Sequence, residues 1–372
     1  MGTLHKPLMP HQETGTPLRI TGAMTKVVRL PVDPPIKTAI HDARFIDHVL
    51  LRLESAEGHH GIGHLFAFGA FRAHALDATL RDLLSHLVGS EVHHPAACWD
   101  RLQHEITFLG RTGMALMAAA AVDTAVWDLW ARRADTPLWA GLGAPSAKLV
   151  PCYASDSLWL GDPLGALRDL ARDRARQGFT QVKVRIGGTP DDDQRRVEAV
   201  VNAVPRLAVM ADANQGWDRE QALAMAGRLA PYGLKWLEEP TDMDDLEGLQ
   251  AVVQASPTPI ATGESWFGPL EIQRGLEAAE FAVLMPDLQR AGGITGWLRA
   301  AALAKEQGRT VSPHLFPEIS VHLLCGIADP GPVEYVPWFR PLFAEPPAPI
   351  HGDLVATDRP GLGLEFRAGL LD

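Results

Sequence analysis

From Leu149 onward the chain alternates two kinds of segment. Short runs rich in β-branched and aromatic residues (VPCYAS, QVKVRIG, LAVMADA, LKWLEEP, PIATGE, FAVLMP, TVSPH and VEYVPW) are separated by stretches with the apolar spacing of amphipathic helices. Helices are predicted near 164–177, 191–203, 219–232, 246–255, 269–278, 294–307 and 318–328. Such alternation implies a parallel sheet, and eight strand candidates imply a closed barrel. Upstream, Val27 to Leu30, His48 to Leu53 and His59 to His64 read as a meander of short strands. The clearest helix, near 112–133, is rich in Ala, Leu and Met, with Asp123 and Asp128 expected as buried hydrogen-bond partners. The expected fold class is α/β. A (β/α)8-type, TIM-like barrel occupies 148–341, and an N-terminal α+β capping domain occupies 23–147. The Pro- and Gly-rich segment 342–372 is expected to fold back onto that domain. Residues 1–22 read as a disordered tail, with Met24 as an alternative start. Segment 31–47 reads either as a surface loop or as a lid over a substrate.

Composition narrows the function. A chain of 372 residues suits a barrel plus a smaller domain. Its net charge of −11 and the lack of a basic stripe argue against nucleic acid as partner. No uninterrupted apolar run reaches the ~18 residues of a membrane span. The N-terminus lacks the apolar core and cleavage pattern of a secretory signal. Cys98, Cys152 and Cys325 make no metal spacing and read as buried free thiols, which fits a cytoplasmic protein.

The chemistry lies at the ends of the strand candidates, where barrels of this kind build their sites. Asp212, Glu238 and Glu264 recur at intervals of roughly 26 residues, about one strand, one helix and two short loops. Three hard oxygen ligands at the same place in consecutive units describe a divalent-metal site, and Mg2+ suits them better than Zn2+. Glu239 competes with Glu238 for the middle position, and periodicity leaves the choice open. Asn214 shares the parity of Asp212. Lys183 and Arg185, two apart in QVKVRIG, fall on one strand face and need anions nearby. Asp287 and His314 end the sixth and seventh strands and are expected to form a dyad with His314 as general base and acid. Glu334 ends the eighth and could donate a hydrogen bond to substrate if its surroundings keep it protonated. Metal and Lys183 would bind a substrate carboxylate, His314 would remove the neighbouring proton, and the charge would stabilise the enediolate.

At these residues the chain resembles the enolase superfamily, mandelate racemase subgroup. The likeness runs from about Thr25 to the end, through AAAAVDTAVWDLWARRADTPLWAGLG, KVRIG, DANQGW, WLEEP, TGESWFGP, MPDLQRAGGITGWLRA, SPHLFPEISVHLL and VEYVPW. It implies Mg2+ as cofactor, with Asp212, Glu238 and Glu264 as ligands. It also implies Asp287–His314 as the dyad, Lys183 and Ser155 on the substrate carboxylate, and Glu334 as a hydrogen-bonding acid opposite the metal. Segment 31–47 then matches a mobile lid, whose His41 and Asp42 suit a polyol. A homo-oligomer, dimer to octamer, is implied too. Arg185 departs from the subgroup, which has a second basic lysine there; arginine stays protonated and is a poor base. The first reading is therefore one-base dehydration of a sugar acid, an aldonate or aldarate, to a 2-keto-3-deoxy acid. The second is a racemase, epimerase or cycloisomerase of a 2-hydroxy acid. The third is an inactive ligand-binding barrel.

Overall fold

The structure, a computed structural model, describes residues 17–371. It opens with three antiparallel strands, β1 (Leu18–Lys37), β2 (Asp42–Ser55) and β3 (His60–Ala67). Then come α1 (Ala70–Leu87), the short β4 (Glu91–Val92), α2 (Pro95–Glu105), α3 (Gly113–Arg133) and α4 (Leu138–Gly141). The sheet order is β3-β2-β1-β4, so the expected meander is present.

Two expectations change here. Residues 18–22 are not tail: Leu18 and Ile20 are fully buried and Leu18 pairs with Val92, so β1 is under way well before Met24. Residues 1–16 lie outside the described residues. Segment 31–47 is not an irregular loop but the far half of the β1–β2 hairpin, which turns at 38–41. Pairing runs to Pro31 opposite Phe45, slips, and resumes at Ile36 opposite Ala43. The prolines disguised this strand. Pro34 and Pro35 cannot donate to a ladder, and they sit inside the register slip.

Helix α3 lies on β3 at very close range. A Cβ at Gly61 would stand 2.2 Å from Ala125 O, and one at Gly63 would stand 2.3 Å from Ala121 O. The i, i+2 spacing puts both glycines on one strand face. Among the described helices α3 alone has the length and mean hydropathy of a membrane span, more than the sequence suggested, but 83% of that window is buried inside the protein. Its acids are staples. Asp128 accepts from Ile62 N (2.9 Å), Leu362 N (2.7 Å) and Arg132 Nε, joining β3, α3 and the C-terminal segment. Asp123 accepts from Thr295 N (2.8 Å) and Thr295 Oγ1 (2.7 Å), tying α3 to the barrel.

The barrel follows. Its strands are β5 (Leu149–Ala154), β6 (Gln181–Arg185), β7 (Ala208–Asp212), β8 (Leu237–Glu238), β9 (Ile260–Thr262), β10 (Val283–Leu284), β11 (Thr310–Val311) and β12 (Val333–Tyr335). They are parallel, in the order β11-β10-β9-β8-β7-β6-β5-β12. The edges β11 and β12 meet through Gly331 N to Val311 O (2.8 Å) and Ser312 Oγ to Pro332 O (2.6 Å) rather than a ladder. The intervening helices are α5 (Leu164–Arg176), α6 (Pro190–Ala203), α7 (Arg219–Leu229), α8 (Leu246–Ala255), α9 (Gly268–Ala278), α10 (Leu288–Ala291), α11 (Gly293–Glu306) and α12 (Pro317–Leu324). No α-helix follows β12 among the described residues, only a 3-10 turn at Arg340–Leu342; β13 (Asp353–Val355) pairs antiparallel with β5 instead. Tyr153, Met210, Trp236, Ala261, Val283 and Met285 fill the centre and form the floor under the site. The C-terminal segment meets the capping domain through Leu138 N to Gly361 O (2.7 Å), Gly361 N to Thr136 O (2.9 Å) and Arg132 to Glu365.

Candidate active site

The strand ends bring the predicted residues together. On β6, alternation turns Lys183 and Arg185 inward, while Val182, Val184 and Ile186 are fully buried on the other side. Lys183 Nζ contacts Glu238 Oε1 (2.5 Å), Glu334 Oε1 (2.8 Å) and Asp212 Oδ2 (3.2 Å). Burial and neighbouring Arg185 push this ammonium down, but Glu238, Glu334 and Asp212 outweigh them and hold it protonated. Arg185 Nη1 donates to Asp212 Oδ2 (2.8 Å) and Nη2 to Ser155 Oγ (3.0 Å), with the guanidinium 5.0 Å from the centre of the Trp159 ring. Burial opposes its charge, but Asp212 and Glu334 raise its pKa further.

Asp212, Glu238 and Glu264 end adjacent strands. Glu238 takes a hydrogen bond from Trp236 Nε1 (2.9 Å) as well as from Lys183. Burial, then Asp212, push its carboxyl well up. Glu239 does not turn away, as alternation on a continuing strand would require. Its φ is +42°, so it already lies in the turn, and its carboxylate is buried beside Gln215 Nε2 (3.0 Å) and Ser265 Oγ (2.9 Å). Burial, then Glu264 and Asp212, raise it to about 8. Asn214, at φ +43°, is likewise placed by a turn rather than by strand parity. Its N and Nδ2 donate to Asp212 at 2.9 and 3.2 Å.

Among the described residues no three carboxylate, imidazole or thiolate groups stand at the spacing of a closed metal cage; Lys183 and Arg185 lie between the acids. The donor set nonetheless fits a hard divalent cation. It is all oxygen, Asp212 and Glu264 help push the Glu238 and Glu239 carboxyls up, and Asn214 Oδ1 and Glu239 Oε2 are buried with no hydrogen-bond partner.

Across the mouth, His314 Nδ1 bonds Asp287 Oδ2 (2.8 Å), and the two residues are register neighbours at the ends of β10 and β11. Asp287 Oδ1 caps α10 by accepting from Arg290 N (2.8 Å). His314 Nε2 faces Glu264 Oε1 (3.4 Å) and Glu334 Oε2 (4.0 Å). Burial lowers the ring's pKa, but Glu264, Asp287 and Glu334 outweigh it and raise it to about 9. Glu334 does not meet the condition set for it as a donor, a carboxyl kept protonated by its surroundings. Burial pushes its carboxyl up, yet Lys183, His314 and Arg185 hold it well below the usual range. It is an acceptor, for Ser155 Oγ (2.7 Å) and Leu315 N (3.0 Å). The Ser155 hydroxyl is therefore committed to Glu334.

The hairpin tip closes on the mouth. Leu160 N donates to Lys37 O (2.9 Å), and a Cβ at Gly216 would come within 2.7 Å of Ala39 Cβ. His41 lies 4.7 Å from the Phe68 ring, and burial, then the charges of Arg290, His314 and Arg72, lower its pKa. The sequence reading missed Arg290, whose Nη1 donates to Glu264 O (2.9 Å) and clamps two strand ends. Its place three residues after a helix-capping Asp was the available signal.

Residues 20–143 match the mandelate racemase/muconate lactonizing enzyme N-terminal domain, and residues 166–369 match the family described as enolase C-terminal domain-like. The chain belongs to the enolase superfamily, mandelate racemase/muconate lactonizing enzyme group. Within that family it is 31% identical to L-talarate/galactarate dehydratase of Salmonella typhimurium, covering 88% of this chain and 85% of that one. It is 30% identical to 3,6-anhydro-alpha-L-galactonate cycloisomerase of Streptomyces coelicolor, covering 91% and 95%. The crystal structure of L-talarate dehydratase from Polaromonas, complexed with Mg and L-glucarate, matches with a TM-score of 0.88 at 32% identity, covering 95% of this chain and 96% of that one.

Proposed function

We propose that this protein is a Mg2+-dependent acid-sugar dehydratase that removes the α-proton of an aldonate or aldarate and releases water, giving a 2-keto-3-deoxy acid. Asp212, Glu238 and Glu264 would hold the ion. When bound, it supplies positive charge to a substrate carboxylate and cancels the pull of Glu264 on His314. Lys183, held protonated, is a fixed cation for that same carboxylate. Asp287 fixes the imidazole so that Nε2 faces the site. That nitrogen takes the α-proton and returns it to the departing β-hydroxyl. The C–H and C–O bonds break, water leaves, and the enol tautomerises to the keto acid.

The observation that carries this reading is Arg185. Where the subgroup carries its second basic lysine, this chain has a guanidinium paired with Asp212 and held in its cationic form, so it supplies no second base. The talarate and galactarate dehydratases among the relatives support the substrate class. The Streptomyces cycloisomerase supports the alternative, an isomerase working through the same proton abstraction. The free, buried thiols accord with a cytoplasmic enzyme, and a homo-oligomer is expected.

The test is incubation with Mg2+ and a panel of aldonates and aldarates in D2O. A 2-keto-3-deoxy product is expected from at least one of them. Deuterium entering both epimers of recovered substrate at comparable rates would overturn the one-base reading. Absence of product and exchange across the panel would instead favour the binding-only barrel.

A further inference from the structure

A second pocket, of about 530 Å3, lies between the capping domain and the flank of the barrel, and none of the strand-end residues above lines it. The volume is that of a small-molecule site. Trp99, Phe267 and Leu270 supply apolar wall. Its polar groups are short of acceptors. Arg111 donates only to Gln103 O (2.9 Å) and Thr107 Oγ1 (3.0 Å), neither a carboxylate. Arg274 makes no ion pair or hydrogen bond among the described residues. Gln103 Nε2 is buried with no partner. The two acids of the lining are engaged by other lining residues: Asp100 with Arg299 (2.9 Å), and Glu271 with Phe267 N (2.7 Å). Arg299 in turn covers the Trp99 ring at 4.2 Å.

Aromatic and aliphatic wall beside two solvent-facing guanidiniums without a carboxylate partner and an orphaned amide suits one kind of ligand. We propose that this pocket binds a small amphipathic monoanion, an aryl or alkyl carboxylate or sulfonate. The anionic head would meet Arg111, Arg274 and Gln103, and the apolar body would lie on Phe267 and Leu270. The pocket also touches the machinery of the mouth. Phe267 follows Glu264 by three residues, and Trp99 Nε1 donates to Gly292 O (2.8 Å), five residues beyond Asp287. A ligand there braces the connections that carry both acids.

The experiment uses the full-length, Mg2+-loaded protein with 8-anilinonaphthalene-1-sulfonate as probe and decanoate as competitor. Saturable one-to-one fluorescence, displaced by decanoate, is expected. Hydrogen exchange should slow in peptides spanning 99–112 and 264–274. The double variant Arg111→Met/Arg274→Met should weaken the probe at least tenfold with the melting temperature unchanged. No probe binding, protection confined to other peptides, or undiminished binding by the double variant overturns the proposal. So does an oligomer that shields these peptides without probe and dissociates in the double variant, since a second copy then fills the pocket. Should the variant fail to fold, the exchange map of the unaltered protein decides.

Discussion

Arg185 shows how a residue's chemistry depends on what faces it. Two positions after Lys183 on a parallel strand, its inward direction could be read from alternation, and so could its unfitness as a base. Its bond to Asp212 could not, because that acid arrives from the next strand. Glu334 makes the same point more sharply. Its place at a strand end was readable; its ionisation was not, since it is decided by Lys183, Arg185 and His314 together. If His314 is the single base, His314→Asn should lower kcat by about 10²–10⁴-fold, the usual contribution of a positioned proton-transfer group. Calorimetric Mg2+ affinity should stay within a few-fold of the parent. Near-parental turnover in this variant would remove His314 from the role. Glu334→Gln should be harmful through binding: the amide removes the negative charge beside Lys183, and its NH2 must face either the Lys183–Ser155 pair or Leu315 N, all of them donors to the native carboxylate. A raised KM for the carboxylate substrate is the expected result, and steady-state kinetics will show whether kcat falls instead.

At the scale of elements, period and length gave reliable signals where strands and helices are regular. Turns did not. Glu239 and Asn214 enter the site through left-handed backbone that alternation does not describe, and the hairpin over the mouth was masked by its prolines. The β3–α3 contact was equally silent, because glycines in a strand look like weak points until the partner helix is seen. That contact makes a direct prediction. Gly63→Ala would drive a methyl into the Ala121 carbonyl, and overpacking of this sort costs about 1–3 kcal/mol. Urea unfolding should show the loss, with Gly58→Ala, whose Cβ would meet nothing within 4 Å, as the control for glycine chemistry alone. Its φ of +82° adds some strain, so equal losses in the two variants would discount the close packing.

At the scale of the whole molecule, three buried histidines among the described residues, His48, His64 and His322, take no part in the proposed chemistry. His48 and His64 lie under the capping sheet against Phe339, and His64 also meets Phe316 and Phe343. Burial lowers both to about 3. Because the folded value lies below the unfolded one, the unfolded chain takes up these protons first. The contribution of these two histidines should be complete above pH 6.5 and fall as pH drops toward 3, by about 2 kcal/mol per histidine at pH 5. Urea midpoints at pH 7.5 and 5.0 measure the slope. His64→Phe should flatten it, and an unchanged slope would mean that other groups dominate acid unfolding.

The sequence by itself determined the order of the units, the barrel class and the strand end on which each chemical group sits. That information is local: a βα unit has a nearly constant length, so equal spacing of acids reports equal placement. Only the tertiary structure decided which acids are ionised, which cations they hold and what covers the mouth. Those outcomes depend on charges and surfaces brought together from β5, β6, β7, β8 and β12, far apart in the chain. Burial then amplifies each contact, because a charge withdrawn from water is governed by its few remaining neighbours.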